Sequence, residues 1–97
     1  MAFTITVALD ISDPEVYAQY RDAMRPLLEA EGGRFTYDFT IAETLKAQDG
    51  QHYNRLFLLE FPELEHHDRF FANPEYKAIR NQLFNASVRS FAILSTA

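Results

Sequence analysis

Apolar and polar positions alternate from Phe3 to Ile11, with Phe3, Ile5, Val7, Leu9 and Ile11 set against Thr4, Thr6, Ala8 and Asp10. A period of two with β-branched and aromatic content predicts a strand. The period then changes. In "SDPEVY", Asp13 is placed to cap a helix, Pro14 fits its first position, and Glu15 suits the positive end of its dipole. Tyr17, Tyr20, Met24, Leu27 and Leu28 follow at three- and four-residue spacing, which makes one apolar stripe. Pro26 is expected to kink this helix or tighten its last turn, and Gly32-Gly33 to end it with a left-handed cap.

A second alternation sets Phe35, Tyr37, Phe39 and Ile41 against Thr36, Asp38 and Thr40. The polar turn "KAQDGQH", centred on Asp49-Gly50, leads into a third strand from Tyr53 to Phe61, so the two strands read as a hairpin. Pro62 closes that strand and "ELEHHDRFF" opens a second helical region. Asn73-Pro74-Glu75 restarts it, with Tyr76, Ile79, Leu83 and Ala86 as its stripe, and "VRSFAILS" is the last strand. The order βαββαβ predicts an α+β, ferredoxin-like domain over residues 1–97: a four-stranded antiparallel sheet with both helices on one face. The other face is expected to carry Thr4, Thr6, Asp38, Leu56 and Leu58.

Composition adds a partner to this picture. Of 97 residues, 47% are hydrophobic and 14% aromatic, with nine Phe and five Tyr, which is more apolar surface than so small a sheet-and-helix layer easily hides. A homodimer through the sheet face is the simplest cover. The net charge of −5, with Lys and Arg scattered singly, argues against nucleic acid and anionic membranes as partners. The absence of cysteine removes disulfides, thiolate nucleophiles and Cys-based zinc sites. The amino-terminal residues alternate like a strand and lack a signal-peptide pattern, and no apolar run reaches membrane-spanning length, so a cytoplasmic location is expected.

Three stretches, "ISDPEVYAQYRDAMRPLLEAEGGRF", "LFLLEFPELE" and "NPEYKAIR", come in an order and spacing that resemble the DUF1330 family of the dimeric α+β barrel superfamily. The resemblance runs nearly end to end. It implies a ferredoxin-like protomer, and a homodimer whose two sheets form a barrel with a small cavity per protomer. Related barrels include cofactor-independent monooxygenases, lactone isomerases and ligand-binding modules. Two departures stand out: His66 and His67 occupy positions that are more often small, and the second strand is richer in aromatics.

The candidate chemistry is limited. His66 and His67 are adjacent, point about 100° apart on a helix and cannot clamp one metal together. Glu63 lies near both by helical spacing, but a single Glu-x-x-His is half of a di-iron motif, so no metal site is expected. His67 shares a face with Leu64 and Phe71 and leans inward, while His66 leans outward. The inward histidine is the candidate acid–base group; the competing reading is a histidine satisfied at a helix–sheet boundary. Asp38, a carboxylate in mid-strand, needs water, a cavity or a cation, with Arg34, Arg55, Arg80 and Arg89 as possible partners. Arg80, one turn from Tyr76, and Arg34 are candidate anion contacts, and Tyr37 is a candidate wall of an aromatic pocket. Plain surface pairing is the reading for Arg55 and Arg89. No G-x-S-x-G, P-loop, dinucleotide or H-E-x-x-H fingerprint occurs, and no cofactor is expected. The expected function is binding of a small aromatic or carboxylated molecule in an interior cavity, by a cofactor-independent enzyme of monooxygenase or isomerase type with His67 and Asp38 as catalytic groups and Arg80 or Arg34 as anion contact. The alternative is a non-catalytic ligand-binding or interaction module.

Overall fold

A computed structural model describes residues 1–97. Strand β1 (Phe3–Ile11) is followed by helix α1 (Pro14–Ala30), strands β2 (Arg34–Thr40) and β3 (Arg55–Phe61), helices α2 (Leu64–Ala72) and α3 (Pro74–Ile79), and strand β4 (Val88–Thr96). Between α3 and β4 the chain continues through a π-helical turn at Arg80–Phe84 and a last helical turn at Asn85–Ser87. The sheet order is β2-β3-β1-β4 with every neighbouring pair antiparallel, as a ferredoxin-like βαββαβ fold requires.

Local signals act where they are expected. The Asp13 side chain accepts from Val16 N–H at the start of α1, and Asn73 accepts from Glu75 N–H at the start of α3. At the end of α1, Gly32 adopts φ 71°, and the N–H groups of Gly32 and Gly33 bond back to the Glu29 and Leu28 carbonyls in a Schellman arrangement. Pro26 lies within α1 without ending it. The second strand stops at Thr40, earlier than the alternation suggests, and residues 41–54 form a long connection rather than a tight turn. That connection is pinned by Thr44, which bonds both backbone groups of Tyr53, and by Asn54, whose side chain bonds the Ile11 N–H and C=O.

The core lies between the sheet and the helices. Ile5, Val7 and Leu9 of β1, Phe57, Leu59 and Phe61 of β3, the stripe of α1, and Phe70 and Tyr76 of α2 and α3 are buried together. Besides the register shifts of the β1–β4 pairing at Thr6/Val7 and Asp10/Ile11, two irregularities change which side chains reach it. In β2 the register slips between Phe35 and Tyr37: Phe35 pairs with Leu59, Tyr37 with Leu58 and Asp38 with Phe57. This bulge puts one extra residue in β2 and reverses the alternation beyond it. Asp38 therefore lies on the helix side with Phe57, not on the outer face. Tyr37 and Phe39 are turned outward instead, 57% and 52% exposed.

The second irregularity is the π-helical turn, where Asn85 N–H bonds to the Arg80 carbonyl five residues back. One residue is added to the turn, so the stripe of Tyr76, Ile79 and Leu83 continues to fully buried Ser87 rather than to exposed Ala86. The Ser87 hydroxyl donates to the Leu83 carbonyl at 2.7 Å.

Candidate functional site

Sheet and helices do not close completely on each other. Between them lies a cavity of about 440 Å³, floored by β1, β3 and the helix side of β4 and walled by α1, α2, α3 and the π-helical turn. Its lining is mostly apolar and aromatic. Phe91 and Ile93 of the edge strand β4 line it while 58% and 54% exposed, so the cavity opens toward that edge. Interiors of this size class are normally packed without gaps, and a largely apolar space with a few polar groups is the usual form of a small-molecule site.

The polar groups are few and specific. Tyr20 of α1 and Tyr76 of α3 meet hydroxyl to hydroxyl at 2.8 Å, buried at the wall. Burial pushes both phenols above the ordinary tyrosine range, and each neighbouring ring oxygen adds to the effect on Tyr20, while the Tyr20 bond and the Arg80 charge act against it at Tyr76. Both therefore stay neutral. Arg80 and Phe84 reach the cavity from the π-helical turn and Asn85 from the helical turn after it, because the extra residue brings positions four and five apart onto one face.

Beside Tyr20 on α1, a charged cluster built on Tyr17 and Arg21 forms the wall. Arg21, 8% exposed, donates from Nε to Tyr17 Oη at 2.8 Å and from its terminal nitrogens to Asp38 at 3.2 and 3.5 Å. Its guanidinium sits 3.9 Å from the ring centre of Phe35. Arg55 reaches the same carboxylate with two bonds, 2.8 and 2.9 Å long. The Arg55 bonds first, and then the charge and bond of Arg21, hold the Asp38 carboxyl below the usual carboxylate range against the upward push of partial burial. Burial raises the Tyr17 phenol, opposed by Arg21. Tyr17 and Arg21 separate the apolar cavity from a second, polar cleft that holds Asp38 and Arg55.

The model of the family described as "Domain of unknown function (DUF1330)" matches residues 1–97, the whole chain. The chain belongs to the DUF1330 family. No curated protein matches this DUF1330 domain at a significant level. Among solved structures it is similar to a protein of unknown function from Rhodopseudomonas palustris, with TM-score 0.81 and 17% identity over 99% of this chain and 80% of that one. It is similar to a DABB family protein with a ferredoxin-like fold from Mesorhizobium loti (TM-score 0.69, 17% identity, 99% and 94% covered). A protein of unknown function from Bacteroides fragilis, described as dimeric and ferredoxin-like, matches with TM-score 0.60 and 16% identity over 99% and 94%. At these identities the likeness concerns the fold.

Within the DUF1330 domain the candidate residues from the sequence separate. His67 lines the cavity, packed by its ring against Phe3, Phe61 and Phe71 at 5.0, 5.4 and 4.8 Å, with Nδ1 3.0 Å from Asp68 Oδ1. Its carboxylate neighbour is Asp68, whereas Asp38 is held by the two arginines and lines only the polar cleft. His66 is not simply outward: it is half-buried, and its Nδ1 is buried without a protein partner. Arg80 lines the cavity. Arg34 does not; it pairs with Glu60 at 3.0 Å in the open. Tyr37 stands on the outer face because of the β2 bulge. Arg89 approaches buried Asp10 at 3.8 Å. Glu63 precedes α2 and accepts from the Met1 amino group, and no three His, Asp or Glu side chains converge as metal ligands would. No helix is long and apolar enough to cross a membrane.

Sequence reasoning missed Arg21 as a site residue. The signal was present: Arg21 occupies the 17-21-24-28 spacing of the apolar stripe, and a charge on a buried stripe calls for a buried partner.

Proposed function

We propose that this DUF1330 domain binds a small aromatic or carboxylated molecule in the cavity between its sheet and its helices. The observation that carries the reading is the cavity itself: about 440 Å³ of largely apolar space in a domain of this size, open at β4. In this reading Arg80 contacts the anionic group of the ligand and His67 is the acid–base group. The Asp68 carboxylate against Nδ1 favours a histidine that presents its other nitrogen to a ligand. Asp38 serves the site indirectly, by holding Arg21 in the wall. The domain acts as a homodimer through the outer sheet face, where Tyr37, Phe39 and Leu94 are each more than half exposed.

The test is a two-dimensional NMR titration of labelled protein with benzoate and phenol. Shifts gathered on Phe57, Tyr76 and Phe84 are expected; shifts absent, or spread over the surface, would refute the cavity reading. Catalysis separates from mere binding by His67→Ala, which should abolish turnover of any substrate found while leaving its affinity within about threefold. If turnover survives that change, the protein is left as a binding module or uses another group.

A further inference from the structure

The Tyr20–Tyr76 pair has more hydrogen-bonding capacity than the protein uses. Two phenol hydroxyls carry two protons, and their mutual bond at 2.8 Å consumes one. That bond is the one hydrogen bond either hydroxyl makes with a protein group, so the second proton has no acceptor among the side chains or the backbone. Both residues are almost fully buried, at 5% and 3% exposure, and both line the cavity. A buried hydroxyl donor is costly to leave unpaired. The space beside these rings that protein does not fill is the cavity. Arg80, four residues beyond Tyr76, lines the same cavity and is close enough for its charge to act on the Tyr76 phenol.

We propose that the Tyr20–Tyr76 pair is the neutral hydrogen-bond donor of the cavity and, together with Arg80, selects ligands that carry a carboxylate or similar oxyanion on an apolar ring. The inference rests on the cavity-binding reading and adds to it the residues that decide ligand class. One hydroxyl accepts from the other and donates onward to the ligand oxygen, a short chain in which the inner bond strengthens the outer one. The arrangement is indifferent to which tyrosine is the outer donor, because either can rotate its proton.

Benzoate and nitrobenzene, which share shape and differ in charge and acceptor strength, test this with the intact chain by NMR or calorimetric titration. Benzoate is expected to bind about tenfold more tightly, the difference a hydrogen bond to a charged group supplies. The double variant Tyr20→Phe/Tyr76→Phe keeps both rings and removes both hydroxyls together, a change that costs little stability. It should erase most of the benzoate preference while nitrobenzene affinity stays within about twofold. Each single variant retains one hydroxyl with a free proton and should keep most of the preference. Arg80→Gln, at a half-buried position, should weaken benzoate alone and serves as the independent check. Equal affinity for the two probes, or a preference that survives the double variant, overturns the proposal and leaves the cavity reading intact. Failure of both probes to bind overturns the two together.

Discussion

The guanidinium of Arg21 meets the carboxylate of Asp38 at 3.2 Å and ties the middle of α1 to β2. Arg21 is nearly enclosed, with 10% of its side chain exposed, while 31% of the Asp38 side chain is open. Asp38→Ala leaves a buried cation with Tyr17 and aromatic faces as its remaining partners. The expected loss is about 2 kcal/mol, below the value for fully buried pairs because solvent screens the open side of Asp38. Urea denaturation measures it, and a loss below about 0.5 kcal/mol would reduce the pair to an ordinary surface contact.

The same pair makes stability fall in acid. The folded-state pKa of Asp38 lies below its unfolded value, because Arg55 and Arg21 favour the charged form. Its contribution is complete above the unfolded value of about 4 and is lost as pH falls through the folded one. Asp38→Asn should therefore differ from the parent protein near neutrality, and the difference should shrink in denaturation curves recorded at about pH 3.

The buried tyrosines act at the opposite extreme. Tyr17, Tyr20 and Tyr76 have folded-state values raised by burial. Their contribution is complete below the unfolded value of about 10 and is lost as pH rises beyond it toward the folded values. Alkaline unfolding followed by circular dichroism should thus move to higher pH in Tyr20→Phe/Tyr76→Phe. An unchanged midpoint would mean that these phenols do not control it.

The outer sheet face predicts an oligomer. Light scattering at micromolar concentration should give twice the 11.2 kDa of one chain. Placing charges there with Tyr37→Lys and Phe39→Glu should return the mass to that of one chain without loss of helical signal. Neither residue contacts the cavity, so its binding of aromatic probes should persist. A parent protein already at one-chain mass would remove the argument for this interface.

Much of the site was legible, and the rest was lost at identifiable residues. His67 and Arg80 follow from helical spacing relative to Leu64, Phe71 and Tyr76, and both line the cavity. The sequence marks Asp38 as a carboxylate in need of a cation, and it has two, but the bulge in β2 places it on the helix side of the sheet, which the alternation does not show. The Tyr20–Tyr76 pair read as core stripe, because spacing shows which rings are buried and not which hydroxyls meet across two helices.

The amino-acid sequence by itself determined the elements, their order and their caps. Period, Asp13-Pro14, Asn73-Pro74 and Gly32-Gly33 act over a few residues and need no distant partner. Tertiary structure decided the phase of side chains beyond two single-residue insertions, the bulge after Phe35 and the π-helical turn at Arg80–Phe84. Each insertion leaves the local pattern readable and reverses or rotates everything after it. Whether the extra residue is accommodated depends on pairing with β3 and on packing of α3 against α1, both of them interactions between residues far apart in the chain. Those two slips turn Asp38 toward Arg21, turn Tyr37 outward and bury Ser87 in place of Ala86.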